Sequence, residues 1–389
     1  MCVPYKSFVF RIYPNQMQKV FFEKTFGCAR LVYNIFLTRR IDCYLKENRR
    51  MTYTQCAREL AEMKTTEEYA FLCEVDSIAL QQSLRHLDQA FQNFFKNNGC
   101  GFPKYKSKNQ SKKSYTTVKV NNNLSLNNGL LRLPKIGEVK VKQHREIPEG
   151  YRLKQATVKR TNTEKYYVSL LYEYDELEHR DTSDGAEMWL GLDYALHKLY
   201  VDSNGDSTSY PEPYLKEENK LRREQKKLSK MEKGSNNWKK QKLVVAKLYE
   251  KTANQRKDYL HKKSRELVEN YEHIVIEDLA VKEMAKKSEG FGKYVGDTGW
   301  NTFTFYLEYK SEEKGQKIVK VDRYYPSSQL CNVCGYRNSD LSNLAIREWR
   351  CPCCNSIHDR DINAAVNLLK EGKRLLLNQI KQEPRGTRG

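Results

Sequence analysis

Four cysteines near the carboxyl end constrain the fold of this chain more than any other feature. Cys331 and Cys334 form one Cys-x2-Cys pair, and Cys351 and Cys354 form a second pair after sixteen intervening residues. Two such pairs at this distance can surround one zinc ion tetrahedrally. Because four thiolates leave no coordination position open for water, the predicted zinc ion is structural. Cys353 is the spare cysteine, and buried thiols without a metal are the less favoured alternative.

The number of cysteines indicates the compartment. The chain has 11 cysteines, an odd number, and five of them fall between Cys331 and Cys354. This clustering is typical of a metal site in a reducing compartment, not of a disulfide framework. The amino terminus lacks a signal-like apolar run, and no stretch reaches the length of a membrane span. We therefore expect a cytoplasmic, nucleoid-associated protein without a membrane partner.

The charge of the chain indicates the kind of partner. Lysine and arginine (69) outnumber aspartate and glutamate (49), which gives a formal net charge of +20. A surplus of this size favours a polyanion, because neutralising phosphates releases condensed counterions. The 26 tyrosines and 14 phenylalanines argue against a disordered basic tail and offer rings for base stacking. Nucleic-acid binding is thus predicted, with a basic ribosome-associated or housekeeping protein as the alternative.

Hydrophobic periodicity predicts the organisation of the first half. Residues 5–12 predict a strand that Pro14 ends, and residues 16–95 predict amphipathic helices. A connector rich in glycine, lysine and asparagine follows at 97–115, and its composition cannot build a core. Short strand signals separated by turns then indicate a small antiparallel barrel or sandwich. The first strand could complete that barrel, with the helices inserted into it.

The second half alternates strands and helices, as in an α/β layer. Residues 174–186 predict the linker into it, and residues 187–205 predict two strands joined by a hairpin-like turn. A helical hairpin at 216–265 carries 18 lysines and arginines against 6 aspartates and glutamates. The remaining predicted elements are two strands, at 273–279 and 317–325, and two helices, at 300–314 and 360–378.

Three carboxylates stand where apolar elements start or stop. Asp193 lies on an apolar strand, Glu277 ends another, and Asp361 begins the last helix just after the cysteine segment. A buried carboxylate is costly unless it lies at a cleft, accepts hydrogen bonds or binds metal. Three of them could converge on two Mg²⁺ or Mn²⁺ ions, the arrangement that hydrolyses phosphodiesters. Helix capping or ion pairing is the alternative role for each carboxylate. Asp359, a candidate N-cap of the last helix, competes with Asp361, and Asp278 competes in the same way with Glu277.

Motifs along nearly the whole chain resemble those of the TnpB proteins of bacterial insertion sequences, compact relatives of type V CRISPR effectors. The early motifs FRIYPNQMQ and FGCARLVYN are moderately specific. The most specific motifs are GSNNWKKQKLVVAKLYEKTANQRKDYLHKKS, IVIEDLAVKEM, VDRYYPSSQLCNVCG and HDRDINAAVNLL. The resemblance implies that Asp193, Glu277 and Asp361 are the catalytic acids of a RuvC-type nuclease, and that the four cysteines hold its zinc. One departure is Ala195, which stands where the family has a glycine.

The fold that the resemblance implies is α+β and multidomain. A helical bundle is inserted in a small WED-like β-barrel, and an RNase H-like RuvC α/β domain with a zinc-binding insert follows. The expected ranges are 1–14 and 106–178 for the barrel, 15–105 for the helical recognition domain, 186–325 and 358–378 for the nuclease domain, 326–357 for the zinc insert and 379–389 for a flexible tail.

The activity that the resemblance implies is RNA-guided cleavage of double-stranded DNA beside a short motif, by a monomer. The guide RNA would derive from the transposon end, and the protein would hold the heteroduplex by its backbone. The basic stretches at 104–119 and 216–265 would contact phosphates, solvated helix faces being the alternative. A repressor that binds without cutting and a DNA transposase are the competing hypotheses. The individual candidates for nucleic-acid contact are Tyr53, Gln81, Asn122, Lys104 and Lys106.

Overall fold

The computed structural model describes residues 4–96, 99–108, 111–175, 188–195, 198–281, 298–343 and 345–382. The chain divides into two compact units, residues 1–177 and 178–389. The predicted linker at 174–186 lies outside the described residues from position 176 onward. No helix in the described ranges has the length and apolar character needed to span a membrane.

The first unit combines one sheet with helices that lie between its first two strands in sequence. The strands are β1 (Tyr5–Tyr13), β2 (Lys113–Val118), β3 (Ser125–Asn127), β4 (Leu130–Leu133), β5 (Gly137–Lys142), β6 (Arg152–Arg160) and β7 (Tyr166–Glu173). The helices are α1 (Gln16–Glu47), α2 (Tyr53–Met63) and α3 (Ser77–Lys96), with a 3₁₀ helix at Glu67–Glu74.

Strand β1 lies inside the seven-stranded sheet, whose order is β2-β6-β7-β1-β5-β4-β3. It pairs antiparallel with β7 and β5. Phe8, Phe10 and Ile12 are buried, as the two-residue alternation of a strand requires. The prediction that the first strand joins this sheet, with the helices inserted, is confirmed.

The turn-separated strands predicted a small antiparallel barrel or sandwich, and in the structure they form one antiparallel sheet. Among the described strands, β2 and β3 stand at the two ends of the order and do not pair with each other. Strand β3 offers only three residues for pairing, and the sequence signals missed it. The sheet is therefore open.

A side-chain cap begins α1, and a buried ion pair joins α1 to α3. Asn15 caps α1: its side chain accepts the N–H of Gln18, whose side chain accepts the N–H of Asn15. This reciprocal pair satisfies backbone donors that the first helical turn leaves unpaired. The buried guanidinium of Arg40 on α1 lies 2.7 Å from the carboxylate of Asp88 on α3. Removing either partner would leave a buried charge uncompensated.

The second unit is built on a four-stranded sheet in the order β11-β10-β8-β9. Strands β8, β10 and β11 are parallel, and β9 returns antiparallel to β8. This agrees with the predicted α/β layer and with the predicted pair of strands at 187–205. The elements are β8 (Trp189–Ala195), β9 (Leu199–Asp202), α4 (Pro213–Ser229), α5 (Asn236–Asn270), β10 (His273–Glu277), α6 (Trp300–Glu312), β11 (Lys317–Val321), β12 (Glu348–Arg350), β13 (Ile357–Asp359) and α7 (Arg360–Gln382).

Helix α7 packs directly on the sheet because glycines stand at the contact. A Cβ atom at Gly191 of β8 would lie 2.3 Å from the carbonyl oxygen of Ala365 and 2.9 Å from the Cβ of Leu369. A Cβ atom at Gly372 of α7 would lie 2.5 Å from both methyl carbons of Val275. Only residues without a side chain permit so close an approach of helix and strand.

Helix α7 is longer than the sequence predicted. It extends to Gln382, whereas the prediction ended it at 378 and assigned 379–389 to a flexible tail. Proline disfavours the helical conformation of the residue before it, and the first proline after the start of α7 is Pro384. The prediction was therefore wrong for residues 379–382, and residues 383–389 lie outside the described ranges.

Gly191→Ala should lower the free energy of unfolding of the second unit by about 1–3 kcal/mol, because α7 must shift to admit the methyl group. Urea denaturation followed by circular dichroism measures the change. Gly27→Ala in α1 is the matched control, since a Cβ atom there has no neighbour within 4 Å. That control should be neutral or stabilise the first unit by up to about 1 kcal/mol. If Gly191→Ala had the wild-type free energy of unfolding, the close contact between α7 and β8 would be contradicted.

Candidate active site and metal centre

Asp193 and Glu277 lie on adjacent parallel strands, near the carboxyl ends of both. In the β8–β10 register, Leu192 pairs with Ile276, so Asp193 and Glu277 follow side by side. Adjacent strands are about 4.8 Å apart. As predicted, Asp193 lies on an apolar strand and Glu277 ends another, and the register makes the two residues neighbours.

Helix α7 carries Asp361 toward the same edge of the sheet. Side chains alternate along a strand, so Gly191 and Asp193 face the same side of β8. Gly191 contacts Ala365, and Asp361 lies four residues, about one helical turn, before Ala365. The contact that seats α7 on β8 therefore directs the first turn of the helix to Asp193.

Electrostatic interactions link the three carboxylates. Burial is the main cause that raises the pKa of Asp193 well above its ordinary value, and the negative charges of Asp361 and Glu277 raise it further. The guanidinium of Arg360 and the backbone N–H of Tyr194 act in the opposite direction. Burial, and then the charge of Asp278, raise the pKa of Glu277 to about 7. Such a group of acids must take up protons or bind cations to remain together.

The acids that competed with these positions have other partners. Asp359 accepts the backbone N–H groups of Asp361 and Ile362, each at 2.9 Å, and so it is the N-cap of α7. Asp278 forms an ion pair of 2.9 Å with Arg323. The capping role that was open to Asp361 and the pairing role that was open to Glu277 are thus taken by their neighbours.

Asp361 nevertheless has a cationic neighbour. The guanidinium of Arg347, which precedes β12, lies 3.3 Å from Asp361 Oδ1. The Arg347 side chain is 68% exposed and that of Asp361 is 28% exposed. Solvent screens this pair, so it contributes little to stability, and a stronger cation could replace Arg347.

The four predicted cysteine ligands come together around one point. Their ligand atoms all lie within 4.8 Å of one another. The Sγ atoms are 3.6 Å apart in the pair Cys331–Cys354 and in the pair Cys334–Cys351. Four thiolates around zinc, at Zn–S distances of about 2.3 Å, stand roughly 3.8 Å apart. The donor set and its spacing therefore fit one zinc ion.

The three carboxylates do not form a comparable group. Within the described ranges, the cysteine cluster is the one set of three or more metal-ligating side chains close enough to hold a single ion. Asp193, Glu277 and Asp361 stand further apart than that. Two ions bridged by carboxylates need a wider site than one ion does, so a larger separation of the three carboxylates is compatible with two ions.

Local hydrogen bonds prepare Cys331 to bind metal. Its burial opposes ionisation, but hydrogen bonds, those from the backbone N–H groups of Cys334 and Val333 first among them, more than offset this effect and lower the pKa of Cys331. These contacts favour the thiolate, which is the form that binds zinc.

Two buried asparagines of α7 hold the cysteine segment on the helix. Asn363 accepts the backbone N–H of Asn332 at 2.9 Å and donates to the carbonyl of Leu330 at 2.7 Å. Asn367 donates to the carbonyls of Ser327 and Leu330. Neither residue was predicted from the sequence. Their spacing of four, which places two amides on one apolar helix face, was the signal available.

The predicted nucleic-acid contacts lie in different surroundings within the first unit. Gln81, Asn122 and Lys104 are exposed. Tyr53 is half-buried, with the guanidinium of Arg85 4.6 Å from its ring centre. The amino group of Lys106 lies 3.7 Å from the centre of the Tyr33 ring, and burial lowers its pKa.

Lys106 also shows that the predicted connector is partly packed. The side chain of Asn34 on α1 accepts the backbone N–H of Lys106 and donates to its carbonyl, at 2.8 and 2.9 Å. Pro103 is buried, and the Phe102 ring packs edge-on against Phe91 and Phe94. The sequence predicted a connector that cannot build a core, and in the structure its apolar residues pack instead on the neighbouring helices.

Three segments of the chain match known protein families. Residues 169–288 match OrfB_IS605, described as "Probable transposase", and residues 300–368 match the TNB domain of Cas12f1-like proteins. Residues 1–49 match a helix-turn-helix domain. In the described part of that segment, strand β1 is followed by the single helix α1 and not by two helices.

Two relatives align with the chain along almost its whole length. A protein of Streptomyces pristinaespiralis is 36% identical over 402 residues, which cover 99% of this chain and 98% of the relative. InsQ of Escherichia coli strain K12 is 30% identical over 401 residues, which cover 97% of each. Both carry the name "Putative RNA-guided DNA endonuclease".

Two solved structures were also matched, a Cas12f1–sgRNA–target DNA complex and a CRISPR-Cas12f ternary complex. Both chains are 16% identical to this one, with TM-scores of 0.35 and 0.36. The matches cover 94% of this chain and 99% of the first structure, and 91% and 82% for the second.

The pKa of Glu277 determines how stability should vary with pH when no divalent ion is added. That pKa is 4.5 ordinarily and about 7 in the folded chain. Between these values the folded state binds more protons than the unfolded state, so the free energy of unfolding falls as pH rises. Glu277→Gln should remove this part of the slope in urea denaturation. The exposed Glu348→Gln is the control, and an unchanged slope in Glu277→Gln would refute the assignment.

Proposed function

This chain belongs to the TnpB family, and we propose that it is an RNA-guided endonuclease that cleaves double-stranded DNA. The observation that carries the proposal is that Asp193 and Glu277 follow side by side in the β8–β10 register, with Asp361 close enough for its charge to raise the pKa of Asp193. Family membership supports it, because two full-length relatives carry an RNA-guided endonuclease name.

The three carboxylates would hold two Mg²⁺ or Mn²⁺ ions. When bound, these ions supply activation of the attacking water and stabilisation of the leaving oxygen. Asp193 and Glu277, fixed on neighbouring strands, would hold their side of the site rigidly. Asp361 would exchange its contact with Arg347 for the metal ion. The raised pKa values of Asp193 and Glu277 are expected of buried acids held near other negative charges, and a bound cation would lower them.

The cysteine cluster would bind one structural zinc ion. Four thiolates leave no position for water or substrate, so zinc would supply folding energy and not chemistry. Thiolate ligands of this kind persist in a reducing compartment, which supports action in the cytoplasm, at the nucleoid. Asn363 and Asn367 support the structural role, since they join the cysteine segment to the helix that begins with Asp361.

The nucleic-acid partners would be a guide RNA from the transposon end and a DNA target beside a short motif. We assign residues 1–14 and 106–178 to a WED-like domain and 15–105 to a recognition domain. Residues 186–325 and 358–378 would form the RuvC-like nuclease, with 326–357 as its insert. The basic helices α4 and α5 would contact phosphates, and Gln81, Asn122 and Lys104 present exposed side chains for nucleic acid. The active species would be a monomer.

Asp193→Ala should lower cleavage of a guide-matched plasmid by roughly 1,000-fold or more, as expected when one member of a catalytic unit is lost. RNA binding should persist, because the change lies at the sheet edge in the second unit. Plasmid linearisation in Mg²⁺, with gel-shift binding of the guide RNA, measures both effects. Asp278→Asn, which alters the neighbour paired with Arg323, should retain cleavage. Wild-type protein that binds matched DNA but never cuts it would replace the proposal with the repressor hypothesis.

The protein purified under reducing conditions should contain one zinc ion per chain. Cys351→Ser should lose the ion and lower the melting temperature, because the thiolate set is incomplete. Inductively coupled plasma mass spectrometry and thermal denaturation measure the two effects. Cys353→Ser is the matched control: this cysteine is exposed and lies outside the four-sulfur group, so zinc should be retained. Equal zinc loss in both variants would exclude the proposed ligand set.

A further inference from the structure

His358 is buried beside the cysteine cluster without belonging to it. It lies on β13, is 6% exposed, and is absent from the four-residue group of mutually close ligand atoms. Its Nε2 atom is 3.2 Å from Cys331 Sγ and 2.9 Å from Ser356 Oγ. Trp349, its cross-strand partner in the β12–β13 pair, holds the ring from the other side, with ring centres 4.8 Å apart.

The protons of this network can be assigned from the groups that need them. Zinc-bound sulfurs are thiolates and can only accept hydrogen bonds. Ser356 Oγ lies 2.8 Å from Cys354 Sγ, so the one hydroxyl proton of Ser356 is donated there. Both neighbours of His358 Nε2, the Cys331 thiolate and the Ser356 oxygen, are then acceptors. Nε2 must therefore carry the proton.

The same segment leads directly to the candidate active site. After His358, Asp359 caps α7 and Asp361 lies in the first turn of that helix. The other side of the cysteine segment is tied to α7 through Asn332 and Asn363. The position of Asp361 thus depends on the cysteine segment through two attachments, and His358 lies in one of them.

We propose that His358 is a positioning residue that donates from Nε2 to the Cys331 thiolate and to Ser356, and thereby retains zinc and fixes the start of α7. Four thiolates and one Zn²⁺ carry a net charge of −2, which buried N–H and O–H donors stabilise. Donors that contact metal ligands typically change metal affinity by about 10–100-fold. The inference rests on the proposed zinc site and is independent of DNA cleavage.

The test is the rate at which the zinc-loaded, full-length protein transfers its ion to excess 4-(2-pyridylazo)resorcinol at neutral pH. His358→Phe keeps a ring on Trp349 but removes the donor, and zinc release should accelerate about 10-fold or more. His358→Gln places an amide N–H close to the position of Nε2, and release should stay within a few-fold of wild type. Ile357→Ala, a change at an exposed neighbouring side chain, is the control for local disturbance.

Each result decides the question. Release from His358→Phe at the wild-type rate overturns the proposal, because it would show that ring packing alone matters. Equal acceleration in the Phe and Gln variants also overturns it, because the amide donor would then restore nothing. Should His358→Phe fail to fold, His358→Leu, which also lacks a donor, replaces it. That variant should release zinc faster than His358→Gln, and release at the rate of His358→Gln would again overturn the proposal.

The zinc measurement uses neither guide RNA nor DNA, so its outcome is separable from that of the proposed function. A protein that binds zinc as described but never cuts DNA would leave the role of His358 standing and remove the endonuclease proposal. A wild-type protein that binds no zinc would remove the zinc site and the role of His358 together, and cleavage would be judged by its own assay.

Discussion

The close contact between α7 and the sheet is the interaction on which the second unit depends. Gly191 and Gly372 leave room for it from opposite sides, one on the strand and one on the helix. The first turn of α7 carries Asp361, its next turns hold the cysteine segment through two asparagines, and its apolar face covers Val275 and Val321 of the sheet. One helix therefore joins the core, the metal-binding segment and the candidate active site.

Placing Asp193 and Glu277 together at one edge of the sheet lowers the stability of the fold, and the packing of α7 on the sheet must offset this loss. Burial disfavours the ionised forms of Asp193 and Glu277, and so do nearby negative charges, which are those of Asp361 and Glu277 for Asp193 and that of Asp278 for Glu277. The cation of Arg360 compensates for Asp193 only in part. The apolar cluster beneath them, which includes Leu190, Leu192 and Ile276, contributes through the area that it removes from water. Strain held by a stable scaffold at one edge is typical of functional sites.

Periodicity and spacing predicted the elements whose signals are local. The strand at 5–12, the helices of the first unit and the four-cysteine group were predicted from sequence because alternation and ligand spacing are properties of short segments. The open edge at β3, the packing of Lys106 against Tyr33 and the roles of Asn363 and His358 were not predicted. These depend on which segments meet in space, and no short stretch of sequence contains that information. For Asp193, Glu277 and Asp361, the sequence supplied candidates, and the register and the glycine contact supply their arrangement.

The central place of β1 has a consequence for synthesis of the chain. Its partner β7 lies far along the sequence, and the Tyr5–Glu173 pair spans 168 residues. A strand made first must therefore wait on the ribosome, at roughly 5–20 residues per second, until its neighbours emerge. During that interval Phe8 and Phe10 have no sheet to enter, which exposes an aggregation-prone edge. The intervening helices, whose contacts are local and form quickly, can fold in the meantime and keep the nascent strand close to where its partners will appear.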